Sequence, residues 1–182
     1  MNKVSKIFIL ILILALPISI FVFLKEFGNN KFEIPIYYEN GINNSFDECS
    51  GVSGGQFYAY SLKANNAELT TANLFIFYQQ DVDLSQNELS NIWSRLQDVF
   101  KQKSVGFVTY TPESNVLNMS EGIGVEILSE EDFKRKMHCD AVTDTVNQFI
   151  LVDKMSRIRG YYDFELEEVD RLIVETKILI EE

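Results

Sequence analysis

Histidine is nearly missing from this chain: of 182 residues only His138 is one. Cysteine is almost as scarce, with Cys49 and Cys139 alone, and the last of three prolines is Pro112. A single histidine, read as lying in a helix, leaves no credible Ser/His/Asp set for nucleophilic catalysis. No glycine-rich phosphate loop and no nucleic-acid motif occur, and there is no internal repeat or low-complexity block. Positive charge is also short, at 16 basic residues against 27 acidic ones. That balance argues against nucleic acid and against anionic lipid as partners, because both need clustered Lys and Arg.

What the sequence does contain begins with an apolar run. Ile7–Leu24 carries no charge and is interrupted only by Pro17 and Ser19, which is about the minimum for a membrane-spanning helix. Lys3 and Lys6 precede it with no acid, so the N-terminus is expected to stay in the cytoplasm. The run predicts an uncleaved signal anchor over residues 1–25, in contact with the membrane through residues 7–24. It places a single-pass protein in the inner (cytoplasmic) membrane, its C-terminal domain on the exported (periplasmic or extracellular) side. The competing reading is a cleavable signal peptide, but the run is long for one and no A-x-A-like site follows. All 27 acidic residues follow Lys25, against 13 of the 16 basic ones, so that part has a formal charge of −14.

Residues 26–55 read as a tether, with an Asn/Gly-rich stretch at 40–45 and flexible punctuation from Cys49 to Gly55. A domain is expected over 56–182. Gln56–Lys63 alternates weakly and predicts a first strand. Asn73–Tyr78 reads as a central strand, apolar on both faces. Over Gln86–Lys101, Leu89, Ile92, Trp93, Leu96, Val99 and Phe100 fall on one helical stripe, with Ser85 and Glu88 as a capping box. Val105–Thr111 predicts a third strand and Val125–Leu128 a brief one. Ser129 caps a helix to about Cys139, with acids in its first turn and bases in its last. Phe149–Val152, a turn opened by Asp153, and Arg157–Tyr161 make a β-hairpin whose second strand should have one wet face. A helix over about 165–180 closes the chain. The order predicts an α/β, thioredoxin-like mixed sheet of four to five strands, flanked by helices and preceded by one N-terminal transmembrane helix.

The segment FILVDKMSRIRGYYDFELEEVDRLIVETKIL, Phe149–Leu179, resembles the end of the Sco/SenC family, membrane-anchored thioredoxin-fold proteins of copper-enzyme assembly. There the hairpin reads like F-V-L-V-D-K-x-G-x-I-R-G-Y-Y-D-G-T before a helix. The N-terminal anchor, the NLFIFY strand and the helix ending in Trp93–Phe100 also fit. The resemblance implies a C-x-x-x-C pair after the first central strand and a His just before the hairpin. Here the loop Gln79–Gln86 has no Cys, the expected His position falls near Thr145, and no Pro follows Pro112 to supply the cis-Pro that thioredoxins place beside their thiols. None of the three ligands carries over. The implied function is therefore a non-catalytic binding or assembly factor related to respiratory copper-protein biogenesis, with no cofactor and an unidentified protein partner.

The alternative is an active copper metallochaperone or thiol-redox protein that uses a rearranged Cys49/His138/Cys139 site, since thiolate and imidazole suit copper. Against it, adjacent helical residues point about 100° apart, so His138 and Cys139 are poorly placed to share one metal. A third reading joins Cys49 and Cys139 in a structural disulfide, which an exported location permits. Asp81 and Asp83 are a weak candidate pair for a hard cation. Tyr37, Tyr38, Tyr58, Tyr60, Tyr161 and Tyr162 are sheet residues from which a docking face can be built.

Overall fold

The computed structural model describes residues 3–27, 33–42, 46, 49, 55–62, 70–80, 86–100, 105–115 and 123–181. The chain divides into two compact units, Met1–Glu33 and Ile34–Glu182. The first holds helix α1, Lys3–Phe27, which covers the apolar run. Its side chains are described at Ser5, 12–23 and Lys25, and the apolar ones among them are exposed. Among the described residues no helix is long and apolar enough to cross a membrane.

The second unit is built on a five-stranded sheet. Its strands are β1 Ala72–Phe77, β2 Val105–Pro112, β3 Gly124–Leu128, β4 Phe149–Asp153 and β5 Ile158–Tyr162. They lie in the order β3-β2-β1-β4-β5. β1 and β2 are parallel and joined through helix α2, Gln86–Phe100, while β3 runs parallel to β2. β4 is antiparallel to both β1 and β5. Helix α3, Glu130–Arg135, continues into a π-helical turn, Lys136–Asp140, and α4, Leu166–Glu181, closes the chain. A parallel β-α-β unit, an antiparallel hairpin and a terminal helix make this a thioredoxin-like fold.

Both faces of the sheet are covered, which is why β1 and β4 are buried throughout and apolar at all but Asn73 and Asp153. Leu74, Ile76, Phe149 and Leu151 face α2 and α4, meeting Leu89, Trp93, Leu96, Leu172 and Leu179. Trp93 sits edge-on between Phe107 and Phe149. On the other face Phe75, Phe77, Ile150 and Val152 pack with Phe57, Leu62, Tyr110, Phe133 and Met137. Ser129 caps α3 as predicted, its hydroxyl accepting from the Asp132 N–H at 3.1 Å. The expected cap Ser85 lies outside the described residues.

Two expectations fail for physical reasons. Gln56–Leu62 is not a strand: Phe57 and Ala59 are buried in alternation, but the backbone bonds first to Tyr38 and then to Ser156, never to one partner strand. The first strand is β1. The second strand of the hairpin has no wet face either. Arg159 is only 4% exposed, because its guanidinium donates to Asp153 and to the carbonyls of Ile34 and Pro35. Residues 34–42, placed in a tether by composition, thus form a strap along β5, with Tyr37 N–H donating to the Ile158 carbonyl at 2.9 Å. Gly160 has no side chain because the ring of Tyr162 lies across its position.

Candidate functional site

Two regions compete as the site, the frame at the end of β1 and a cavity on the α3 face. At the frame, the chain leaves β1 through Tyr78, Gln79 and Gln80; Asp81 and Asp83 lie outside the described residues. Facing it is the loop into β4. Asn147 holds the two together: its N–H donates to the Phe77 carbonyl, its side-chain carbonyl accepts from Gln79 N–H at 3.0 Å, and its amide donates to the Gln79 carbonyl at 2.9 Å. Asn147 has φ 58°, a left-handed backbone that Asn tolerates better than most residues. Thr145, where the family pattern places a ligand histidine, donates its N–H to the Thr143 hydroxyl. Among the described residues no peptide bond is cis. Asn147 was missed by sequence reasoning, although an Asn two residues before a buried strand is a known turn signal.

Asn147→Ala is expected to lower stability by about 1–2 kcal/mol, through two lost hydrogen bonds and a strained φ. Asn147→Gly, which keeps the backbone freedom, should recover part of the loss in urea titrations. If both variants unfold with the parent, the clasp contributes nothing.

The cavity, of about 770 Å³, lies on the sheet face away from α2 and α4. Its walls come from Ile42 at the end of the strap, from Phe46 and Cys49, from Phe57, Tyr58, Tyr60 and Ser61, from Glu126 and Leu128 on β3, and from α3 with its π-turn. Cys49 and Cys139 are bonded here across a sequence separation of 90, with their Cα atoms 5.4 Å apart. His138 stacks on Phe46, ring centroids 4.3 Å apart. All three candidate ligands therefore line one cavity. Bonded to each other, however, the two sulfurs supply no thiolate, the form that binds a soft metal. Among the described residues no group of three His, Cys, Asp or Glu side chains forms a metal cage. The residues as they stand do not fit copper.

The electrostatics of the cavity are mostly paired. Arg135 bonds Asp132 at 2.7 Å. Lys136 donates to the Ser61 carbonyl at 2.8 Å, lies 3.9 Å from Asp140 and sits over the Tyr110 ring. Burial pushes the Asp140 carboxyl above the usual range, opposed by the Lys136 ammonium, a Ser61 hydrogen bond and Arg135. The tyrosines split into two groups. Tyr37 meets Tyr161 edge-on and Tyr38 meets Phe57 likewise, under the strap. Burial pushes the Tyr161 phenol up, and its hydroxyl donates to the Ala141 carbonyl. Tyr58 and Tyr60 stack at 5.2 Å on the cavity wall.

The chain is similar in fold to solved Sco-family structures. A SCO1/SenC family lipoprotein from Bacillus anthracis str. Ames matches with a TM-score of 0.48 at 15% identity, over 69% of this chain and 88% of that one. BsSco, a member of the Sco family of cytochrome c oxidase assembly proteins, matches with a TM-score of 0.45 at 12% identity, over 60% of this chain and 79% of that one. No family model and no curated protein matches the sequence.

Proposed function

We propose that this chain is a membrane-anchored, exported Sco-like protein that acts by binding, in the assembly of a respiratory copper protein, without copper transfer or thiol exchange of its own. One observation carries the reading: both cysteines of the chain are consumed in a disulfide beside the α3 face, while the frame end is closed by the Asn147–Gln79 clasp. The link to copper-protein assembly is supported by the hairpin motif Phe149–Tyr162 and by nothing chemical in the site. The anchor is supported by the uncharged run Ile7–Leu24 and by the exposed apolar side chains of α1.

The full chain, produced with its N-terminus intact, is expected in carbonate-washed bacterial membranes. Purified in detergent, it should leave insulin disulfides unreduced and hold far less than one Cu(I) per chain against a chelating competitor. Tight binding of one Cu(I) per chain, or insulin reduction, sinks the proposal. Copper binding that Cys139→Ser abolishes would establish the rearranged Cys49/His138/Cys139 site instead.

A further inference from the structure

β3 is the edge of the sheet, and among the described residues no strand pairs with its outer side. An open edge presents alternate N–H and C=O groups, a template for another strand. The side chains of β3 are sorted by its pleat. Val125 and Ile127 are exposed, at 37% and 61%, on one side, while Glu126 and Leu128 line the cavity on the other. Glu126 is the unmatched charge of that wall. Asp132 is paired with Arg135 and Asp140 with Lys136, whereas Glu126 makes no ion pair or hydrogen bond among the described residues. Tyr58 and Tyr60 stack on each other and line the same cavity, with Tyr60 57% exposed. A half-buried carboxylate and aromatic faces that line one cavity can together receive a cation. The chain as a whole carries −11, so a cationic partner is also favoured at long range.

We propose that β3 accepts an extended segment of a partner protein as a sixth strand, one that alternates basic and apolar residues. Main-chain hydrogen bonds to the β3 edge supply affinity. On one face of the added strand, apolar side chains cover Val125 and Ile127. On the other, a Lys or Arg enters the cavity, pairs with Glu126 and lies against Tyr58 and Tyr60. This rests on the reading that the chain acts by binding and names the surface it uses. A second copy of the chain is the poorer occupant, since pairing β3 with itself sets acidic molecules edge to edge and brings Glu126 towards its own copy.

The test uses the full chain in detergent and a fluorescent nine-residue peptide of alternating Lys and Val, read by anisotropy. Three controls each change one property: a peptide with the lysines in one block, one with Glu in place of Lys, and one N-methylated along a single edge. The alternating peptide should bind about tenfold tighter than each control. Glu126→Lys, shown folded by circular dichroism, should lose that margin and shift preference to the Glu peptide, and Tyr60→Ala should lose part of it. The proposal is overturned by equal affinity for the blocked and alternating lysine peptides, or by binding that Glu126→Lys leaves unchanged. It is also overturned if peptide binding is absent and the chain instead dimerises in a way that Glu126→Lys alters, since β3 would then be a guarded edge between copies. None of these outcomes bears on copper or thiol chemistry, so the site and the broader proposal fail separately.

Discussion

Removing the disulfide, with Cys49→Ser and Cys139→Ser together, is expected to lower the unfolding free energy by about 2–5 kcal/mol. The bond closes a loop across a separation of 90. On chain entropy alone a loop of that length is worth roughly 4–5 kcal/mol, because the cross-link restricts the unfolded ensemble. The native contacts that depend on it are few. Beyond the bond, the Phe46 ring is held by its stack on His138. Upstream, the strap keeps its own attachments, Tyr37 to Ile158 and the carbonyls of Ile34 and Pro35 to Arg159. The double variant should therefore keep its fold and lose stability globally. Urea titrations of the parent with and without reductant, set beside the variant, check this: reduced parent and variant should share one midpoint. A midpoint for the variant equal to that of the oxidised parent would mean that the bond does not stabilise the protein.

Asp153→Ala should destabilise by about 3–5 kcal/mol, because it removes one partner of a buried ion pair. The Asp153 carboxylate is 2% exposed and accepts from four donors. Two are backbone N–H groups of the turn, Met155 at 2.8 Å and Arg157 at 3.0 Å. The others are Arg157 Nε at 2.7 Å and Arg159 Nη1 at 3.1 Å. Truncation melts the turn that sets the hairpin register and removes the carboxylate that the buried Arg159 guanidinium meets there. Replacing both partners, as Asp153→Ala with Arg159→Met, should recover part of the loss, since an apolar stem does not need a counter-charge. A double-mutant cycle in urea measures this, and strictly additive losses would refute the coupling.

How far the fold was legible depended on whether a residue's partner lay near in sequence or far from it. Helix α2 and strands β1 and β4 were readable, because burial on one stripe or on both faces leaves a local pattern. The α3 cap was readable for the same reason: Ser129 and Asp132 are three residues apart. Arg159 was misread as wet because alternation records which way a side chain points, while its burial depends on Ile34 and Pro35, over 120 residues away. Gln56–Leu62 misled in the opposite way: it alternates as a strand does, yet its backbone partners are a turn and a hairpin loop. At the candidate site, the cysteines and the histidine were picked out by residue type, and their meeting at one cavity was not deducible. Asn147 carries a turn signal and Glu126 none, and only the clasp and the open edge around them give them roles.

The strap and its bond also decide how tension would run through the molecule. A pull applied between the two ends passes from Cys49 through sulfur to Cys139 and on to α4. Residues 50–138 hang from that line as a closed loop, with β1, α2, β2 and β3 inside it. Most of the sheet is thus taken out of the force path, and on the order of 300 Å of extensible chain is withheld while the bond lasts. Before the load reaches sulfur it must peel Ile34 and Tyr37 from β5, hydrogen bond by hydrogen bond. The strap yields first, and the bond keeps three of the five strands from the load that follows.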